Sequence, residues 1–165
     1  MTSEGRKTKK KFKMVVVGGT FDEFHKGHRA LLMKAFEIGN HVIIGLSTDK
    51  FVNKLRKPHK VSTYNDRLRN LEAFLKEQEV SSGAEVLPLN DPYGVTVSNN
   101  LLDAIVVSKE TEQQAHEINV KREASRLPPL KIIVVNKVLA ENGIPISTTR
   151  IRQKEINHKG KLLKH

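Results

Sequence analysis

Cysteine and tryptophan are absent from the 165 residues, and aromatics are sparse, with two Tyr and six Phe. Without Cys there is no disulfide, no thiolate nucleophile and no cysteine-based zinc site. Any chemistry falls to His, carboxylates, Lys, Arg and backbone amides. No apolar stretch approaches the roughly 20 residues of a spanning helix, and the Lys-rich start lacks the apolar segment of a secretory signal. The expectation is a cytoplasmic protein without a membrane partner. Internal repeats and low-complexity linkers are missing from the body, and so are the dinucleotide glycine fingerprint and the Walker A pattern. Apolar residues make up 38%, below the usual share, yet runs such as Met14 to Val17 and Ile132 to Val135 supply a core, and the length favours one domain with tails.

Positive charge is in excess, with 29 Lys and Arg against 18 Asp and Glu for a net +11. Its location decides its meaning. Residues 1–13 hold six basic groups and one acid, residues 150–165 hold the same, and residues 14–149 hold 17 basic and 16 acidic groups. The basicity therefore belongs to the ends, which read as solvated tails at 1–12 and 154–165 around a domain at 13–153. Neither tail interleaves the aromatics that a single-strand binder uses, which argues against nucleic acid as partner. A basic nucleic-acid-binding module stays open as the rival from a different class. Oligomeric state is not written in these features.

Five short apolar runs read as buried strands: Met14 to Gly18, His41 to Leu46, Glu85 to Leu89, Ala104 to Val107 and Leu130 to Val135. Helical spacing follows the first, through Ala30, Leu31, Ala35, Phe36 and Ile38, with Gly39-Asn40 as stop. It recurs from Thr63 to Gln78. Thr111-Glu112-Gln113-Gln114 has capping-box spacing ahead of a helix running to about Leu127, and Ser147 is the natural N-cap of a short last helix. Phe51 to Lys60 is a basic segment broken by Pro58, and Asn90 to Gly94 a dense turn. Apolar strands alternating with helices require a parallel sheet covered on both faces, so the expected fold is a single doubly wound α/β sheet. Ligands of such sheets sit beyond the carboxyl ends of the strands.

The turn after the first strand reads Gly18-Gly19-Thr20-Phe21-Asp22-Glu23-Phe24-His25-Lys26-Gly27-His28. Glycines allow close backbone approach, and the helix start offers unpaired amides to an anion. Gly27 is a poor helix residue, which suggests that something excludes a side chain there. Three readings are open: ordinary polar residues on a first helical turn, metal ligation by Asp22, His25 and His28, or a phosphate site to which the imidazoles donate.

Gly19-Thr20-Phe21-Asp22 with His25-Lys26-Gly27-His28 resembles the nucleotidyltransferase superfamily that carries the HxGH signature. Ile146-Ser147-Thr148-Thr149-Arg150-Ile151-Arg152 resembles its second signature, ISSTxIR, with Thr148 in place of the second serine. Leu89 to Gly94, Ala104 to Thr111, and Ile118-Asn119 with Arg122 are similar to archaeal-type phosphopantetheine adenylyltransferases over about residues 13–157. The resemblance implies a Rossmann-like nucleotidyltransferase fold and the penultimate step of coenzyme A synthesis, ATP plus 4'-phosphopantetheine giving dephospho-coenzyme A and pyrophosphate.

The resemblance also implies site roles. His28 would bind the ATP phosphates around the reacting centre with help from His25. Thr20, with the Gly19 and Phe21 backbone, would orient the acceptor phosphate. Lys54 is the candidate cation between the two phosphates, against the reading that it belongs to a solvated basic loop with Lys50, Arg56, Lys57 and Lys60. Ser147, Thr148 and Thr149 would hold the outer phosphates with Arg152 close by; Arg150 is the weaker choice. Arg67 would reach the same phosphates or equally serve at the surface, and Glu110 would touch ribose or adenine. Mg²⁺ is expected with ATP, and no dedicated carboxylate cage for it is evident; Asp22 would equally serve to fix the turn. Nicotinamide mononucleotide, flavin mononucleotide and glycerol phosphate are the alternative acceptors.

Overall fold

A computed structural model describes residues 10–57 and 59–164. Residues 1–9 of the tail expected at 1–12, and the expected break at Pro58, lie outside the described residues. Five parallel strands form one sheet in the order β3-β2-β1-β4-β5. They are β1 (Phe12–Gly19), β2 (Gly39–Ser47), β3 (Ala84–Leu89), β4 (Ala104–Ser108) and β5 (Lys131–Val135). The helices are α1 (Lys26–Ile38), α2 (Asp49–Lys54), α3 (Tyr64–Glu77), α4 (Glu112–Ala124) and α5 (Thr148–Arg152), and 3₁₀ turns occupy Ser81–Gly83 and Gly94–Val97. The doubly wound sheet expected from the sequence is the observed architecture.

Strand alternation places the two cores. Val15 and Val17 of β1, Val42 and Ile44 of β2, and Val106 of β4 face α1 and α3, where they meet Leu32, Phe36, Leu71 and Phe74. Val16, Ile43, Ile105 and Val107 point to the opposite face and pack with Ala115 and Ile118 of α4. Both faces of each central strand are thus buried, which is why these strands are continuously apolar.

The chain runs outward from β1 through β2 to β3, then returns to place β4 on the other side of β1. That reversal opens a crevice at the carboxyl ends of β1 and β4.

Two local expectations need correction. Thr111 is the N-cap of α4 by position, but its side chain makes no capping bond. Its hydroxyl turns back to accept from the Ser108 amide at 3.2 Å, and the Gln114 side chain donates to the Pro92 carbonyl, so the capping box is dissolved by the turn after β4. The segment after Lys154, expected as a solvated tail, folds back on the body. Ile156 is fully buried with Ala140, Ile146 and Ile151, and Ile156 pairs with Leu162 in an antiparallel bridge. Its lysines dominate the composition, but its apolar residues decide where it packs.

Candidate active site

The turn from β1 to α1 is held in an uncommon backbone shape. Phe21 and Glu23 have φ of 51° and 50°, the left-handed region, each at a cost of order 1–3 kcal/mol for a non-glycine residue. Phe21 offsets its share by burying its ring, which meets the His28 ring edge-on with centroids 5.4 Å apart. Asp22 is buried and receives the Arg152 guanidinium at 3.0 Å and the Ser62 amide at 3.1 Å. Burial opposes ionisation of Asp22, but the Arg152 and Ser62 bonds outweigh it and hold its carboxyl below the usual range.

His25 is the N-cap of α1, its Nδ1 accepting from the Gly27 amide at 3.0 Å, while the His25 amide donates to Nδ1 of His28 at 3.2 Å. The rings stack with centroids 3.7 Å apart. A Cβ at residue 27 would stand 2.8 Å from the His25 ring, which explains the glycine between the two histidines.

The titration of the two rings follows from the same packing. Burial first, then the neighbouring His158, pushes His25 down to about 4. Burial first, then His25 and Lys57, holds His28 well below its ordinary value. Both rings are therefore neutral at pH 7. Since each Nδ1 accepts from an amide, the remaining proton of each ring is assigned to Nε2. The pair offers two uncharged N–H donors to the crevice.

The second signature-like segment arrives from the other end of the chain. Ser147 caps α5 by accepting from the Arg150 amide at 3.2 Å, as its sequence position predicts. Thr148 Oγ1 donates to the Asp22 carbonyl at 3.0 Å across 126 positions of sequence. The two segments that carry the family resemblance thus share one crevice, a cavity of about 660 Å³ lined by Gly19, Thr20, His25, His28 and Ser147 to Thr149. That volume is in the range of small-molecule sites. Its far wall comes from Tyr93 to Thr96 and from Gln114, Ala115 and Ile118.

The expected residues divide into those that reach this cavity and those that do not. Gly19, Thr20, Phe21, His25, His28, Glu110, Ser147, Thr148 and Thr149 line it. Glu110 sits at the end of β4 in an ion pair with Lys137. Lys54 is exposed at the end of α2 and does not line the cavity; Lys57 does, with Nζ 3.4 Å from Thr20 Oγ1. Burial lowers the Lys57 pKa, only partly opposed by Asp22.

Arg67 is buried, and its guanidinium donates to the carbonyls of Ser62, Thr20 and Ser47 and to Asp49. It fixes the turn, does not line the cavity, and is not the surface residue that was the other expectation. Arg152 is likewise engaged by Asp22 and Glu23, at 3.0 and 3.1 Å. Arg150 is held by Glu155 and by the Ile144 and Pro145 carbonyls. Sequence reading passed over Lys57 because one lysine in a basic run looks like another. No local signal separates it from its neighbours; folding is what brings it beside Thr20. His59 also lines the cavity and was not singled out.

The crevice lies at the switch point of a parallel sheet with a paired-imidazole turn on one side, and a family profile described as cytidylyltransferase-like matches residues 16–154, which places the chain in that class. A phosphopantetheine adenylyltransferase of Methanothermobacter thermautotrophicus is 45% identical over 156 residues, covering 94% of this chain and 93% of the relative. Another of that name from Methanopyrus kandleri is 45% identical over 142 residues, covering 86% and 90%. Among solved structures, a protein of unknown function from Archaeoglobus fulgidus superposes with a TM-score of 0.67 at 29% identity, covering 74% of this chain and 88% of that one. The chain belongs to the phosphopantetheine adenylyltransferase family.

Proposed function

We infer that the crevice transfers AMP from ATP to 4'-phosphopantetheine, giving dephospho-coenzyme A and pyrophosphate. The observation that carries this reading is the meeting of the β1 turn with the start of α5, sealed by the Thr148 bond to the Asp22 carbonyl. Family membership supplies the reaction class, and the cavity supplies room for two phosphorylated substrates.

The acceptor is a phosphate monoester, anionic near neutral pH, so no general base is needed. One of its oxygens attacks the α-phosphorus, the bond from that phosphorus to the oxygen bridging to the β-phosphorus breaks, and pyrophosphate leaves with the electron pair. The difficulty is to bring two anions together and to stabilise charge growing on the nonbridging and leaving oxygens. In this reading His28 and His25 donate from Nε2 to oxygens of the α- and β-phosphates. Lys57, in place of Lys54, is the cation between donor and acceptor phosphates, and Thr20 beside it orients the acceptor. The Thr148 and Thr149 amides at the start of α5 take the outer phosphates. Arg67 holds the backbone of the turn that presents these groups, and Arg152 holds its Asp22 and Glu23 carboxylates. Glu110 faces the nucleoside side of the cavity.

MgATP is the proposed nucleotide substrate. Among the described residues no group of three or more His, Asp or Glu is placed to hold a metal, and the Asp22 carboxylate is occupied by Arg152 and Ser62. The ion would thus be carried by the triphosphate and would share the charge of the leaving pyrophosphate. No helix among the described residues is long and apolar enough to cross a membrane, and a cytoplasmic location is the proposal that fits both substrates.

The acceptor choice rests on the far wall, where Tyr93, Val95, Ala115 and Ile118 offer an apolar flank suited to an extended pantetheine arm. Pyrophosphate release with 4'-phosphopantetheine, nicotinamide mononucleotide, flavin mononucleotide and glycerol phosphate as acceptors is the test. Turnover is expected with the first; turnover confined to another acceptor overturns the substrate assignment, and none with any of the four overturns adenylyl transfer.

A further inference from the structure

We propose that residues 154–164 form a strap that holds the β1–α1 turn in its nucleotide-binding shape, with His158 as the positioning residue. This rests on the adenylyl-transfer reading above and extends it to a segment that carries none of the family's signature residues.

The strap is a built structure. Asn157 organises it, its side-chain oxygen accepting from the Lys159 and Lys161 amides at 2.9 Å each. The Leu163 amide closes it on the Glu155 carbonyl, and the Gly160 carbonyl accepts from the Glu141 amide at 2.8 Å. Gly160 has φ of +82°, and a Cβ there would stand 2.6 Å from Ile146 Cδ1, so the loop bears directly on the residue that precedes the α5 cap. Ile156 anchors it in the small core beneath.

This loop reaches the β1–α1 turn at two points, both through residue 158. The His158 carbonyl accepts from the Lys26 amide at 3.2 Å. Lys26 is the first residue of α1, so its N–H has no partner within the helix and takes one from the strap. The His158 ring lies 2.8 Å from Glu23 Oε2, and the other Glu23 oxygen receives Arg152 at 3.1 Å. Glu23 is one of the two non-glycine residues of the turn in the left-handed region. A carboxylate on a turn that must admit a polyphosphate is thereby held by two donors, both from beyond the start of α5. Backbone strain of this kind persists only where its surroundings hold it.

His158 is about half exposed, and an exposed pair contributes little to global stability. Its removal is therefore expected to act on the turn and to leave unfolding nearly unchanged. Three proteins decide the point: wild type, His158→Ala and His158→Gln, the last keeping an N–H for Glu23.

In His158→Ala we expect kcat to fall about tenfold and the ATP KM to rise several-fold, as a small misplacement of phosphate-binding groups would cause. The KM for 4'-phosphopantetheine and the urea midpoint are expected to stay at wild-type values, and His158→Gln to recover most of both losses. Hydrogen exchange, which needs no substrate, is expected to speed up in a peptide spanning residues 20–31 of His158→Ala and to stay constant in β2. Unchanged exchange in residues 20–31 overturns the strap whatever the activity. So do wild-type kinetics in His158→Ala, or a Gln variant no better than Ala. Absence of turnover in the wild type is instead a failure of the reaction assignment, and exchange still reads the strap.

Discussion

In the proposed reaction His28 donates from a ring that carries no net charge at neutral pH, because burial, His25 and Lys57 all disfavour a second proton on it. Its worth lies in being aimed and dehydrated before charge develops on the phosphates. Loss of one such donor costs about 10²–10³ in rate. His28→Ala is accordingly expected to lower kcat by about that factor while circular dichroism stays that of the wild type, and pyrophosphate release reads the outcome. Lys57 and Lys54 separate the same question for the cation. Lys57 is drawn in beside Thr20, whereas Lys54 ends α2 exposed to solvent. Lys57→Ala should cost at least about a hundredfold in kcat if it bridges two phosphates, and Lys54→Ala about twofold or less. A larger loss from Lys54→Ala reverses the assignment.

At the scale of elements, the β1 turn, the end of β2 and the start of α2 are bolted together by one side chain. Arg67 of α3 donates to Ser62, Thr20 and Ser47 carbonyls and to Asp49 from a position only 1% exposed. Truncation would take the donor from one buried and two partly buried carbonyls, at about 1–3 kcal/mol for a group left buried and unpaired. Arg67→Ala is expected to destabilise the protein by about 3 kcal/mol or more in urea unfolding. Arg67→Lys should recover little, since an ammonium cannot span four acceptors in the guanidinium fork.

This bolt also marks where sequence reading stops. The strands were legible because burial on both faces makes them continuously apolar, and Ser147 was legible as a cap because capping is local. The imidazole pair and the α5 start were legible through the family resemblance, which spacing alone would not have supplied. The partners of Arg67, Arg152 and Arg150 were not legible for a shared reason. A sequence shows that a guanidinium is present, but its acceptors are carbonyls and carboxylates brought up by folding. The strap was hidden by composition: its lysines outnumber the one isoleucine that buries it.

For the whole molecule, the buried imidazoles couple folding to pH. The unfolded chain titrates His25 near 6.5, while the folded protein holds it to about 4. Between these values the unfolded state binds a proton that the folded state refuses, so stability rises with pH. The His25 contribution is whole above about pH 6.5 and is lost progressively as pH falls toward 4. Across that interval it amounts to on the order of 3 kcal/mol, at about 1.4 kcal/mol per pH unit. His28, lowered in the same direction, adds to the slope. Asp22 has the same sign but a lower window, because its folded pKa lies below 3.8 and its stabilisation disappears only as pH falls through that range.

Urea midpoints of the ligand-free protein are therefore expected to drop steeply between pH 7 and pH 4.5. His25→Asn isolates the cause. Asparagine is a favoured N-cap and can accept the Gly27 amide, but it does not titrate. Its profile is expected to be visibly flatter over the same interval, with a midpoint near that of the wild type at pH 7. A wild-type profile as flat as that of the variant would mean that the stacked rings already carry charge in the folded state, and the neutral-donor account of the site would have to be given up.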